Sequence, residues 1–387
     1  MKQALSGARI FTGEAFLDDH SLILNNGVIE AITPTEHLDS SVQVHQLSGG
    51  ILTPGFIDIQ VNGGGDVMFN NDPSVEGLAR MMAGHRRFGT TGMMPTLISD
   101  THDTIKAGVD AVNEARKVQV PGILGVHIEG PFFNPAKRGT HQESCIRAPE
   151  ETDIDWLCSL RNPDSIDPLK AIVTLAPEQT ATGQIKRLSD AGILVCAGHT
   201  DAYAADITRA LNEGLKGFTH LFNAMRPLQG REPGVVGAAL DDPNSWCGII
   251  ADGHHVDPMA MRIACSAKPE GKVVLVTDSM ATIGGTNKSF TLYNEVITES
   301  EGKLINAEGN LAGSAIGMID AVRISVEKVG LTLERSLRMA SLYPAEFLGL
   351  AHCYGKTIEG YSADLVHFDE QSWQVKNTWI QGQHETH

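Results

Sequence analysis

Glu129, His199, His220 and Asp278 are the residues of this chain best suited to chemistry. Each closes a short apolar run: Glu129 follows GVHI, His199 follows CAG, His220 follows GFT and Asp278 follows VLVT. A carboxylate and two neutral imidazoles are good ligands for zinc or iron(II), and three protein ligands leave a position open for water. A carboxylate beside such a water can take its proton and later pass it to a leaving group, which is the part open to Asp278. A lone histidine is more often a hydrogen-bonded core residue, and an Asp in a TDS context is often a cap. Metal chemistry is favoured because independent runs end alike. Gly130 and Pro131 stop the run before them, and Ala197 and Gly198 leave room around the His199 imidazole.

The elements that must position these residues follow from the runs themselves. They are ILTPGFIDIQ from Ile51, TGMMPTLIS from Thr91, GILGVHIEG from Gly122 and KAIVTLAPE from Lys170. GILVCAGHT from Gly192, KGFTHLFNA from Lys216, CGIIADGHH from Cys247 and KVVLVTDSM from Lys272 complete the set. Each is Val/Ile/Leu-rich and of strand length, with polar, helix-compatible sequence between most of them, as expected of parallel strands buried on both faces. Eight such strands carrying chemical residues at their C-terminal ends predict an α/β fold, a TIM-like (β/α)8 barrel with its site at the mouth.

The flanks differ. RIFTG, SLILNNGVIEAI and VQVHQLSGG are short strands broken by turns, and Asn26-Gly27 is a hairpin signal because both residues tolerate positive φ. After the eighth run, FTLYNEVITESEGKLINAEGNLAGS forms a loop or hairpin excursion. Helices are expected over 316–329 and 333–348, and strand character returns from Gly355. The expected organisation is a barrel over 51–354 and a small β unit built from 1–50 and 355–387.

The chain has 387 residues, 42% hydrophobic and 20% charged, enough for a barrel and a smaller unit. A formal net charge of −17 argues against nucleic acid as a partner. No apolar stretch is long enough for a membrane span, and MKQALSGARIFTGE lacks the core of a signal peptide. Six scattered cysteines (145, 158, 196, 247, 265, 353) without a CxxC pair suit reduced thiols and a cytoplasmic location.

With LTPGFIDIQVNG, GVHIEGPFFNPAKRGTH, VTLAPE, AGHT, THLFNAM, GREPG, GIIADGHHVD, LVTDSMA, LAGSAIGM, YPAEFLGL and ADLVHFD, the chain resembles the N-acetylglucosamine-6-phosphate deacetylases of the amidohydrolase superfamily. HIEGP with downstream RGTH, and HLFNAM followed by GREPG, are the most specific of these motifs. The resemblance implies a barrel with a small β-sandwich formed by both termini, a homodimer, and a phosphorylated amino sugar as substrate. It implies Glu129, His199 and His220 as metal ligands, Asp278 as the acid/base, and His255 as the histidine that polarises the acetamide carbonyl. Thr140 and His141 match substrate contacts, Asn223 and Ala224 lie near the phosphate, and Leu311, Ala312 and Gly313 form a loop over the sugar. Arg231 matches the arginine that holds the phosphate, in relatives from across the dimer interface.

Many amidohydrolases carry His-x-His at the end of the first strand. Here Gln60 and Asn62 stand there, on one face of the strand but much weaker as ligands. One divalent metal per chain is therefore expected, zinc ahead of iron, with His127 as support for the ligands. A different amidohydrolase activity would ordinarily keep the histidine pair and often a bridging lysine, and no Lys ends the third or fourth run. A non-catalytic sugar-phosphate sensor would be expected to lack a ligand or the acid/base residue.

Overall fold

The computed structural model describes residues 2–161, 168–300, 302–307 and 309–387. Its centre is a parallel sheet of eight strands in sequence order. They are β1 (Phe56–Val61), β2 (Thr90–Ile98), β3 (Gly125–Glu129), β4 (Lys170–Leu175), β5 (Leu194–Ala197), β6 (Gly217–Phe218), β7 (Trp246–Ile250) and β8 (Val273–Val276). The sheet closes on itself just beyond the ends of β8 and β1. The Asp278 amide donates to the Gln60 carbonyl at 3.0 Å, and the Asn62 amide to the Ser279 carbonyl at 2.9 Å. The seam of the barrel thus lies at residues marked for chemistry.

Helices cover the outer face. They are α1 (Val75–Arg86), α2 (His102–Lys117), α3 (Glu151–Ser159), α4 (Gln184–Asp190), α5 (Ala204–Asn212), α6 (Gly234–Asp241) and α7 (Pro258–Ala267). In α2, Ile105, Val109 and Val112 fall at helical spacing and are buried, while the Thr101 side chain caps the helix by accepting from the Thr104 amide. Every residue of β2 is buried, which is why it is written almost without charge.

Two further sheets sit beside the barrel. One has four strands in the order Val28–Pro34, His20–Asn25, Gln3–Ser6 and Gln43–Gln46. The other has six: Gln383–Thr386, Val375–Ile380, Leu365–Phe368, Ile51–Pro54, Arg9–Phe11 and Phe16–Leu17. Leu5, Leu22, Leu24 and Ile29 of the first pack with Ile10, Leu52, Leu365 and Trp379 of the second, forming a sandwich core from both ends of the chain. Asn26 and Gly27 turn the hairpin with φ of 49° and 84°.

Two expectations are corrected. The run from Ile51 is two strands: Ile51–Pro54 belongs to the six-stranded sheet, between Arg9–Phe11 and Leu365–Phe368, and only Phe56–Val61 enters the barrel. Gly55 makes the crossing, where a Cβ would come within 1.9 Å of the buried Thr91 hydroxyl. The expected helix over 333–348 is also two, α9 (Leu333–Ala340) and α10 (Leu342–Phe347), separated at Ser341 with φ −132° and ψ −73°. Pro344 explains the break, since its ring needs the space of the carbonyl four residues back and it has no amide to donate. Ahead of α9, helix α8 (Met318–Ile324) runs into a π-helical turn over Ser325–Val329. The excursion after β8 is an antiparallel sheet of four strands, Ser289–Leu292, Glu295–Ser300, Lys303–Ile305 and Leu311–Ser314.

Candidate active site

A cavity of about 190 Å³ opens at the C-terminal end of the barrel. Most residues singled out from the sequence line it: Glu129, Thr140, His141, His199, His220, Asn223, Ala224, His255, Asp278, Leu311 and Gly313. Two do not. Ala312 is fully buried and alternates along its strand with Leu311 and Gly313, which line the cavity, so its side chain lies on the other face. Arg231 is exposed in the loop before α6 and does not line the cavity within its own chain. The cavity also takes in Asn62, Ile98, Gly139, Ile250 and Met280.

Glu129 is the last residue of β3. His199, His220 and Asp278 each lie two residues beyond their strands, with φ of 50°, 34° and 52°. None is glycine, so each left-handed residue costs about 1–3 kcal/mol and persists because its surroundings hold it. The strain turns the side chains from the strand direction into the barrel mouth.

There the donors converge. Glu129 Oε1 lies 3.0 Å from His220 Nε2 and 3.3 Å from His199 Nε2, and the two Nε2 atoms are 3.0 Å apart. His199 Nδ1 lies 2.9 Å from the Lys137 carbonyl, which can only accept. Nδ1 therefore carries the proton, and in the neutral ring Nε2 is bare. A bare nitrogen, a carboxylate oxygen and a second imidazole nitrogen in such contact need a cation or a proton between them. The donor set fits a divalent metal held by Glu129, His199 and His220.

His141 also comes close, its donor atom within 4.8 Å of those of Glu129 and His199. Its tautomer argues against ligation. His141 Nδ1 accepts from the Ser99 amide at 3.2 Å and lies 2.8 Å from the Ser99 hydroxyl. An amide only donates, so Nδ1 is bare and the neutral ring carries its proton on Nε2. His199 and His141 are thus fixed in opposite tautomers, one offering a lone pair and the other an N–H. Phe133 stacks on His199 with centroids 4.3 Å apart and meets His141 edge-on at 4.9 Å, which holds both rings.

The carboxylates are separated in character. Burial works to raise the Glu129 carboxyl, but the His199 and His220 imidazoles at its Oε1, in their protonated forms, carry it well below the usual range. Burial, with the charge of Glu129, pushes Asp278 up to about 6 against the pull of His220, His255 and Asn62. Gln60 Nε2 donates to both Glu129 Oε2 and Asp278 Oδ1 at 3.1 Å, and Asn62 Nδ2 donates to Asp278 Oδ1 at 2.6 Å. The two amides at the histidine-pair positions therefore orient carboxylates. His255 Nδ1 lies 2.6 Å from Asp252 Oδ2, and Asp252 Oδ1 accepts from the His254 and His255 amides at 2.8 Å. That clamp leaves His255 Nε2 for the cavity.

His127 sits below. Its Nδ1 donates to the Ile59 carbonyl at 3.0 Å and its Nε2 accepts from Thr174 Oγ1 at 2.7 Å, so both nitrogens are used. Burial lowers it to about 4, which keeps the ring neutral beside Glu129 and His220. Asp252 and Ser99 were not singled out from the sequence. Asp252 could have been found from its place three residues before His255, whereas nothing local marks Ser99.

The profile of the amidohydrolase family matches residues 51–384, and that of the NagA composite domain matches residues 3–52. The chain is 38% identical over 379 residues to N-acetylgalactosamine-6-phosphate deacetylase of Shewanella sp. (strain ANA-3), covering 97% of this chain and 94% of that protein. It is 36% identical over 385 residues to N-acetylglucosamine-6-phosphate deacetylase of Haemophilus influenzae, covering 99% of each. The crystal structure of N-acetylglucosamine-6-phosphate deacetylase from Pasteurella multocida superimposes with a TM-score of 0.95 at 35% identity, over 100% of both chains. Barrel, sandwich and near end-to-end relatives agree: the chain belongs to the N-acetylglucosamine-6-phosphate deacetylase family of amidohydrolases.

Proposed function

We propose that this chain hydrolyses N-acetyl-D-glucosamine 6-phosphate to D-glucosamine 6-phosphate and acetate, in the cytoplasm and in amino-sugar catabolism or cell-wall recycling. The observation that carries the reading is the meeting of the Glu129–His199–His220 donors with Asp278, raised to about 6, in one cavity. One divalent metal per chain, zinc ahead of iron, would be held by those three donors and would act as a Lewis acid that makes water more acidic.

The chain's own residues supply the rest. Asp278, oriented by Gln60 and Asn62, takes a proton from the attacking water. The water oxygen bonds to the acetamide carbon while the carbonyl electrons move to oxygen. His255, clamped through Nδ1 by Asp252, would donate to that oxygen through Nε2 with a proton on each ring nitrogen. Asp278 then returns its proton to the sugar nitrogen as the carbon–nitrogen bond breaks, releasing acetate and the amine. Thr140 and the Nε2–H of His141 bind sugar oxygens, and Asn223 and Ala224 lie toward the phosphate. Leu311 and Gly313 cover the sugar, with Ala312 holding their loop to the core.

Arg231, remote from the cavity of its own chain, serves the phosphate in the partner subunit of a homodimer. A galactosamine epimer is the second reading, favoured by the relative at 38% identity that bears that name. The test is acetate release by purified, metal-counted protein from both phosphorylated epimers and from unphosphorylated N-acetylglucosamine. Turnover at about one metal per chain, with the gluco epimer and the phosphate preferred, is the expected result. Preference for the galacto epimer moves the assignment to the second reading. No turnover of either with a filled metal site rejects both.

A further inference from the structure

Tyr293 stands at the tip of the hairpin between Ser289–Leu292 and Glu295–Ser300. Tyr293 and Asn294 are the two turn residues, with φ of 49° and 66°. Glycine and asparagine are favoured at such positions, and a bulky side chain at the first is strained. The side chain put there spans to another element: its hydroxyl donates to the Ser99 carbonyl at the end of β2. The same Ser99 fixes His141, its amide at 3.2 Å and its hydroxyl at 2.8 Å from Nδ1. Tyr293 also lines a second cavity, of about 450 Å³, whose wall of Gly139, Thr140, His141 and Leu311 is shared with the active-site cavity.

The insertion is also anchored at two other points. Asp66 accepts from the Thr286 and Asn287 amides, and Asn71 Nδ2 donates to the Thr291 carbonyl at 3.0 Å. The hairpin therefore does not need the Tyr293 hydroxyl to be seated. Its direct hydrogen bond goes to the carbonyl of the same residue whose amide and hydroxyl face His141 Nδ1.

We infer that Tyr293 is a positioning residue: through Ser99 it holds His141 with Nε2–H directed at the substrate. The kinetic part of this inference rests on the deacetylase reading; the part concerning the ring does not. Tyr293→Phe keeps the aromatic ring and removes only the hydroxyl. In the holoenzyme we expect it to raise KM about fivefold to tenfold with a smaller change in kcat and unchanged metal content. In a His141→Gln background the same substitution should have no further effect on KM.

A second measurement does not need turnover. In protein labelled with 15N-histidine, the His141 resonances are those lost in His141→Gln. They should show a bare Nδ1 and a protonated Nε2, and the Nδ1 resonance should shift in Tyr293→Phe. A merely structural role would lower the unfolding temperature and leave KM and the His141 spectrum where they were. An unmoved Nδ1 resonance, or equal KM effects in both backgrounds, overturns the inference. Protein that turns over neither epimer but still shows the spectral shift would reject the deacetylase reading and keep this one.

Discussion

The surroundings of Asp278 suit it to both tasks proposed for it. Burial and the neighbouring Glu129 charge lift it to about 6, while the amides of Gln60 and Asn62 keep the carboxylate aimed. An acid of that strength is ionised at neutral pH and still able to hold a proton for the leaving amine. We expect kcat/KM to fall tenfold per pH unit below about 6, because protonation removes the base. Asp278→Asn should lose about 10²-fold or more in kcat with the metal retained. Metal analysis and a pH profile of the two proteins check both statements, and near-normal turnover in the variant would remove Asp278 from the mechanism. The three residues proposed to hold the metal were legible because each ends a run whose burial is written in its composition. The groups that orient them were less so. Ser99 and His141 are 42 residues apart, and Tyr293 and Ser99 are 194 apart, so no local pattern links them.

At the scale of elements, the closing seam between β8 and β1 carries a buried charge problem. Asp58 in β1 accepts from the Thr277 hydroxyl, from the Thr277 amide at 3.3 Å and from the Gln60 amide at 3.2 Å. Burial nevertheless raises it to about 7. An unfolded chain holds an aspartate near 3.9, so the native state binds the extra proton between those values. The stability this confers is full below about 4 and is lost as pH rises through about 7, amounting to at most about 4 kcal/mol. We expect the unfolding midpoint of the wild type to fall between pH 5 and pH 8, and Asp58→Asn to flatten that fall. Parallel curves for the two proteins would clear Asp58 of the effect. The eight strands were legible from composition, but the division of the run from Ile51 was not. Both halves are equally buried, and they differ in their distant partners, Arg9–Phe11 and Leu365–Phe368 for the first and Thr90–Ile98 for the second.

For the whole molecule, the position of Arg231 outside its own cavity makes a subunit-exchange experiment informative. In a dimer that shares this arginine, Arg231→Ala and Asp278→Asn should each be impaired alone. Mixed and re-equilibrated, they should regain activity, since a hybrid holds one site with its own Asp278 and the partner's Arg231. Light scattering gives the oligomeric state, and activity no greater than the average of the parents would mean that Arg231 does not cross. No helix among the described residues is long and apolar enough to cross a membrane.

The strand Ile51–Pro54, one residue ahead of β1, is flanked by Arg9–Phe11 on one side and Leu365–Phe368 on the other. During synthesis the first neighbour is available at once, whereas the second emerges only after every barrel strand has been made. The nascent chain must therefore keep an unfinished β edge from joining other chains while the barrel is completed. The late strand acts as a clasp: its arrival fastens the segment that leads directly to Gln60 and Asn62.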